Sequence, residues 1–78
     1  MKKFKVLGSG CRNCDITANA IAQAAKEAGV EIELEKVTDM GTILGYGVMS
    51  TPGVVLDETV VHAGSIPAPD QVRAWVRG

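Results

Sequence analysis

Cys11 and Cys14, two residues apart within GSGCRNCDIT, are the side chains whose type and spacing best suit chemistry. A thiolate is both a nucleophile and a soft ligand, so three readings stand side by side: a redox dithiol, a metal clamp, or two small apolar side chains. A helix opening at this point would present free N–H groups and a positive dipole end to Cys11. Both favour negative charge, lower the thiol pKa and raise the thiolate fraction at neutral pH. Arg12 adds a nearby cation, and Asp15 pushes the other way. One helical turn would bring Cys14 close behind Cys11, so a mixed disulfide formed at Cys11 could be resolved by Cys14. A single cysteine would suggest an inert apolar residue; a pair at this spacing, after Gly8-Ser9-Gly10, does not.

The flanking sequence predicts elements that could hold such a pair. Lys3 to Leu7 suits a strand, ended by Gly8-Ser9-Gly10. Arg12 to Ala28 has helical periodicity, with Ile16, Ala20, Ala24 and Ala28 every four residues and Ile21 and Ala25 beside them. Gly29 is placed to end that helix. Val30 to Val37 alternates apolar residues with Glu31, Glu33 and Glu35, which predicts an edge strand with one solvated face. Thr38 is the expected N-cap of a short helix, with Met40, Ile43 and Leu44 facing inward and Gly41, Gly45 and Gly47 weakening it. Val54–Leu56 and Thr59–Ala63 flank Asp57-Glu58 as a hairpin. Pro69 and Asp70 suit the first turn of a last helix whose apolar face is Val72, Trp75 and Val76. The expected order is β-α-β-α-β-β-α: an α/β domain over residues 1–78 with a four-stranded mixed sheet and helices on both faces.

Composition narrows the partners. The chain has 78 residues, of which 46% are hydrophobic, with one Phe, one Tyr and one Trp, so its core must be aliphatic. The net charge is −1 and there is no basic stripe, which argues against a nucleic-acid partner. No apolar run approaches the roughly 18 residues of a membrane span. The early lysines precede too short an apolar stretch for a signal peptide, so a cytoplasmic protein is expected. Two cysteines do not make a disulfide-rich secreted scaffold.

Soft-metal carriage is the rival reading. Small domains that ferry Cu(I) also place a C-x-x-C loop between a first strand and a first helix. Those domains usually end on a strand, have a Met two residues before the first Cys and lack a proline before the third strand. Here a helix is expected last, Ser9 takes the Met position, and Pro52 precedes the third strand. Structural zinc wants four ligands, and the chain offers two Cys and the single His62. No metal site is therefore expected.

The stretches VLGSGCRNC, VEIELEKVTD and YGVMSTPGVVLD, with the closing short helix, resemble a family of small thioredoxin-like proteins called redox-active disulfide protein 2. The resemblance spans essentially the whole chain and implies a trimmed thioredoxin fold without the extra N-terminal strand and helix. It implies thiol–disulfide exchange, with Cys11 attacking and Cys14 resolving, and no cofactor beyond that dithiol–disulfide couple. It also implies that Pro52 is a cis-proline facing the two sulfurs and that the backbone of Thr51 pairs with a substrate chain. Arg12-Asn13 is neither the Gly-Pro of thioredoxins nor the Pro-Tyr common in glutaredoxins, and this dipeptide tunes the potential. No Trp precedes Cys11.

The expected function is thus that of a cytoplasmic, monomeric thiol–disulfide oxidoreductase. Its expected partners are a protein disulfide and an upstream thiol reductase, with no nucleic acid and no membrane. The substrate groove is expected near Gly10, Met49, Thr51 and Pro52. The alternatives are a soft-metal (Cu or Zn) thiolate carrier and a redox-sensing interaction module. His62 reads as an edge-strand histidine and Trp75 as a core anchor. Tyr46 suits equally the groove rim or the end of the short helix.

Overall fold

The structure, a computed structural model, describes residues 1–8 and 12–78. Strand β1 (Lys2–Leu7) is central, β2 (Ile32–Val37) and β4 (Thr59–Ala63) are the edges, and β3 (Gly53–Leu56) completes the order β2-β1-β3-β4. β1 and β2 run parallel, as strands joined through a helix do, while β1–β3 and β3–β4 are antiparallel. With α1 (Arg12–Ala28), α2 (Met40–Gly45) and α3 (Pro69–Arg77) the chain order is the expected β-α-β-α-β-β-α.

Strand alternation divides the core between the two faces of the sheet. Phe4 and Val6 of β1 and Val54 of β3 meet α1 and α3 in one cluster with Ile21, Ala25, Val72 and Val76. Leu7, Val37 and Val55 point the other way, toward Ile43 of α2 and Val48. The buried positions of α1 are Cys14, Thr17, Ala18, Ile21, Ala24 and Ala25. This corrects the stripe read at Ile16 and Ala20: Ile16 is exposed and Ala20 half-buried. Four residues overshoot one helical turn by about 40°, so a stripe counted in fours drifts around the helix. The buried seam follows mixed steps of three and four.

Gly29 ends α1 as expected, with φ +68°. Its N–H donates to the Lys26 carbonyl and that of Val30 to Ala25, the paired bonds of a glycine C-cap. β2 begins at Ile32 rather than Val30, because the Val30 N–H is spent on that cap.

The N-cap of α2 is Asp39, not Thr38. The Asp39 carboxylate accepts the Thr42 N–H and hydroxyl, both at 2.8 Å, and these bonds hold its pKa below the ordinary value. Met40 and Leu44, expected inward, are exposed. A helix of six residues turns only Ile43 into the core. Gly45 is the last residue of α2, and a Cβ there would meet nothing within 4 Å. Gly45→Ala is expected to stabilise the protein by about 0.5–1 kcal/mol, read as a rise in thermal midpoint of roughly 2–8 °C.

The hairpin places Asp57 at φ +48° and Glu58 at φ +69°, a backbone that favours Gly or Asn. Their side chains offset that cost. Asp57 accepts the Lys3 N–H at 2.9 Å. Glu58 accepts from Lys5 Nζ and from the Tyr46 hydroxyl, each at 3.1 Å, and Lys5 also donates to Tyr46 at 2.9 Å. The bonds to Lys5 and then Tyr46 hold the Glu58 carboxyl below its ordinary pKa of 4.5. The Lys5 ammonium is correspondingly raised, by Tyr46 first and then Glu58.

The sign for Glu58 follows from linkage. A depressed folded-state pKa contributes stability that is complete above the unfolded value and lost as pH falls through the folded one. Glu58→Gln is therefore expected to melt below wild type at neutral pH, with the gap closing below about pH 4.5. Thermal melts across pH 7 to 3 check this; a constant gap would contradict it.

α3 opens with Pro69, and Gln71 Oε1 accepts the Ala68 N–H at 3.1 Å. Near its other end Lys2 Nζ donates to the Trp75 carbonyl at 2.7 Å. Trp75 is half-buried against the α1–α3 cluster. Among the described residues no helix is long and apolar enough to cross a membrane.

Candidate functional site

The site assembles around a backbone with no side chain. β1 ends at Leu7, and the N–H of buried Gly8 still donates to the Val37 carbonyl of β2 at 2.9 Å. A Cβ added to Gly8 would overlap Cys14 Sγ and lie 3.2 Å from Cys14 Cβ and 3.4 Å from Thr51 Cβ. The end of β1, the first turn of α1 and the segment before β3 therefore converge on Gly8. Cys14 is only 5% exposed, and its Sγ lies 3.8 Å from the Leu7 carbonyl oxygen.

The Thr51–Pro52 peptide is cis, with Pro52 buried and Thr51 exposed. The Pro52 carbonyl accepts the Gly64 N–H at 3.0 Å, which ties this segment to the end of β4. Thr51 thus stands beside Gly8 and Cys14, while its neighbour is fixed in the core.

A buried threonine lies one turn below the start of α1. Thr17, fully buried, donates its hydroxyl to the Asn13 carbonyl at 2.7 Å. Such a bond satisfies a buried hydroxyl within its own helix. Arg12 and Asn13 are exposed. Asp15, which follows Cys14, pairs with Lys36 of β2 at 2.9 Å.

Of the residues singled out in the sequence, Cys14 and Thr51 come together at Gly8, with Pro52 next to Thr51. Met49 is 90% exposed, three residues ahead of Pro52. Cys11 and Gly10 lie outside the described residues. Tyr46 closes α2 and directs its hydroxyl to Lys5 and Glu58, so it serves the short helix and the hairpin. His62 sits 3.0 Å from the Ser65 hydroxyl with its ring 6.0 Å from that of Trp75. An apolar groove of about 330 Å³ lies elsewhere, between α1 and α3, lined in part by Ile16, Ala20, Ile66 and Val72. Among the described residues no group of three or more His, Cys, Asp or Glu is arranged to hold a metal ion.

Three residues of this end of the fold escaped the sequence reading: Gly8, Thr17 and Lys36. Gly8 was legible as a strand end but not as a point of close approach. Lys36 carried a signal, as a cation at the next position of the apolar series Val30, Ile32 and Leu34. Thr17 carried none, since a threonine inside a helix usually faces solvent.

Residues 2–77 match the family described as "Thioredoxin domain". The chain is 34% identical over 73 residues to a protein named thioredoxin from Methanocaldococcus jannaschii, covering 94% of this chain and 84% of that one. It is 30% identical over 73 residues to another protein of that name from Methanothermobacter thermautotrophicus, covering 94% and 95%. A solved malarial protein structure is similar with a TM-score of 0.72, across 99% of this chain and 94% of that one, at 17% identity, which is a likeness of fold. The four-stranded mixed sheet with helices on both faces is a thioredoxin-like α/β fold. By a match that runs from the second residue to the next-to-last, the chain belongs to the thioredoxin domain family.

Proposed function

We propose that this protein is a thiol–disulfide oxidoreductase that exchanges electrons with protein disulfides through Cys11 and Cys14. Within its family we place it with the small redox-active disulfide proteins that its sequence resembles. The observation that supports this most is the junction at Gly8, where buried Cys14 packs beside exposed Thr51 and the cis Thr51–Pro52 peptide.

The exchange runs in two displacements. The Cys11 thiolate attacks one sulfur of a substrate disulfide; that S–S bond breaks, a mixed disulfide forms, and the departing sulfur takes a proton. Cys14 then loses its proton and attacks Cys11 Sγ, which releases the second substrate thiol and leaves a Cys11–Cys14 disulfide. Two electrons and two protons pass from the dithiol to the substrate. An upstream thiol reductase returns them, so no other cofactor is required. Burial suits Cys14 to the resolving step, because a buried thiol meets the mixed disulfide before it meets solvent. In this reading exposed Thr51 pairs with the substrate chain, and Gly10, Met49 and Pro52 belong to the substrate groove. Arg12 and Asn13 set the reactivity of the pair. The setting is the cytoplasm, where thiols are kept reduced, and the working form is a monomer.

Insulin reduction driven by dithiothreitol tests this. The protein is expected to accelerate precipitation of the insulin B chain catalytically, many turnovers per molecule. Stoichiometric Cu(I) or Zn(II) binding without turnover would replace this reading with that of a soft-metal carrier. Reversible oxidation without turnover would replace it with that of a redox-sensing module.

A further inference from the structure

We propose that Lys36 is a positioning residue for the dithiol: it holds the Asp15 carboxylate and supplies a positive charge that favours the thiolate form. This rests on the exchange reading above. Asp15 lies in the first turn of α1, directly after Cys14 and four residues after Cys11. A carboxylate there suits the helix dipole, but it repels a thiolate at the same helix end. Lys36 of β2 reaches across to it, with Nζ 2.9 Å from Asp15 Oδ1.

β2 brings Lys36 to this end of the sheet by register. Lys36 pairs with Val6, and the next residue, Val37, accepts the N–H of Gly8, the glycine that abuts Cys14. At this end of those elements the charged side chains are Arg12 and Asp15 of α1, Glu35 and Lys36 of β2, and Asp39 at the start of α2. Lys5 of β1 is committed to Tyr46 and Glu58. Asp39 is engaged by Thr42. Without Lys36, the Asp15 carboxylate, next in sequence to Cys14, would lose its paired cation.

The pair is too exposed, at 55% for Lys36 and 63% for Asp15, to matter much for stability. Its consequence is electrostatic. A cation near the thiolate stabilises the reduced form, so losing it favours the disulfide.

The test is the dithiol–disulfide equilibrium constant in glutathione buffers, measured for wild type, Lys36→Gln, Asp15→Asn, the double variant and Lys36→Arg. Lys36→Gln is expected to shift the equilibrium about threefold toward the disulfide, which is a midpoint about 14 mV more negative. Asp15→Asn should shift it in the opposite direction by a similar factor. The double variant and Lys36→Arg should lie close to wild type. All differences should shrink in 1 M salt, where charges are screened beyond about 3 Å. Lys26→Gln, in the last turn of α1, should leave the equilibrium unchanged.

Lys36→Gln and Asp15→Asn moving in the same direction, or neither moving, would overturn the proposal while leaving the exchange reading intact. A wild-type protein with no reversible couple would overturn both.

Discussion

Cys14→Ser is expected to accumulate a mixed disulfide between Cys11 and its protein substrate, while Cys11→Ser forms none. The asymmetry follows from the proposed division of labour. Cys11 immediately precedes Arg12, where α1 starts, and Cys14 is buried against Leu7 and Gly8. A serine at position 14 cannot displace the substrate sulfur, because an alkoxide is not available at neutral pH, so the first displacement occurs and the second does not. A serine at position 11 removes the attacking thiolate altogether. Steady-state insulin reduction should fall by about a hundredfold or more in either variant, since residues that act as one unit do not fail independently. Non-reducing electrophoresis and mass spectrometry after mixing with an oxidised protein read the adduct. An adduct in Cys11→Ser but not in Cys14→Ser would reverse the two roles. Equal turnover in wild type and both variants would remove the dithiol from the chemistry.

Gly8→Ala should produce the second-largest effect, from a residue that carries no chemistry of its own. Its new Cβ would overlap Cys14 Sγ, with Thr51 Cβ close on another side at 3.4 Å. The backbone at Gly8 is held by its bond to Val37, so the sulfur must give way. Overpacking of this kind costs about 1–3 kcal/mol. A displacement of roughly 1 Å at a reacting group can cost up to about a hundredfold in rate. Gly53→Ala supplies the comparison, because its added Cβ would press on Val48 at 3.0 Å and on Leu7 at 3.4 Å, not on the sulfur. Both variants should melt lower than wild type. Only Gly8→Ala should also lose exchange activity, by tenfold or more per folded molecule. Equal activity losses in the two would mean that Gly8 matters for packing alone.

The parts of this fold that the sequence disclosed are those fixed by local pattern. Alternation in Lys3–Leu7 and in the Glu-rich run, helical periodicity from Arg12, and the Gly29 and Pro69 signals all mark their elements to within a residue or two. The cis form of the Thr51–Pro52 peptide was legible because the proline follows a C-x-x-C pair and precedes the expected hairpin. Side-chain direction was less legible where several candidates competed. Thr38 and Asp39 can each cap a helix, and Asp39 prevails because its carboxylate reaches both the N–H and the hydroxyl of Thr42. Met40 and Leu44 have core chemistry but flank the single inward position of a helix too short to bury more. Least legible was the meeting of distant segments. Gly8, Thr51 and Cys14 become neighbours only when β1, α1 and β3 are assembled, and Lys36 finds Asp15 only through the parallel register of β1 and β2.

The most direct test of the Cys11–Cys14 couple is a titration of the purified protein in glutathione buffers, with free thiols counted by alkylation and mass spectrometry. Cys11 and Cys14 should lose and regain their thiols together, in one reversible two-electron transition with about 30 mV per tenfold change in the equilibrium ratio. Thiols that oxidise independently of each other, or that persist under conditions where a protein disulfide stays oxidised, would contradict it.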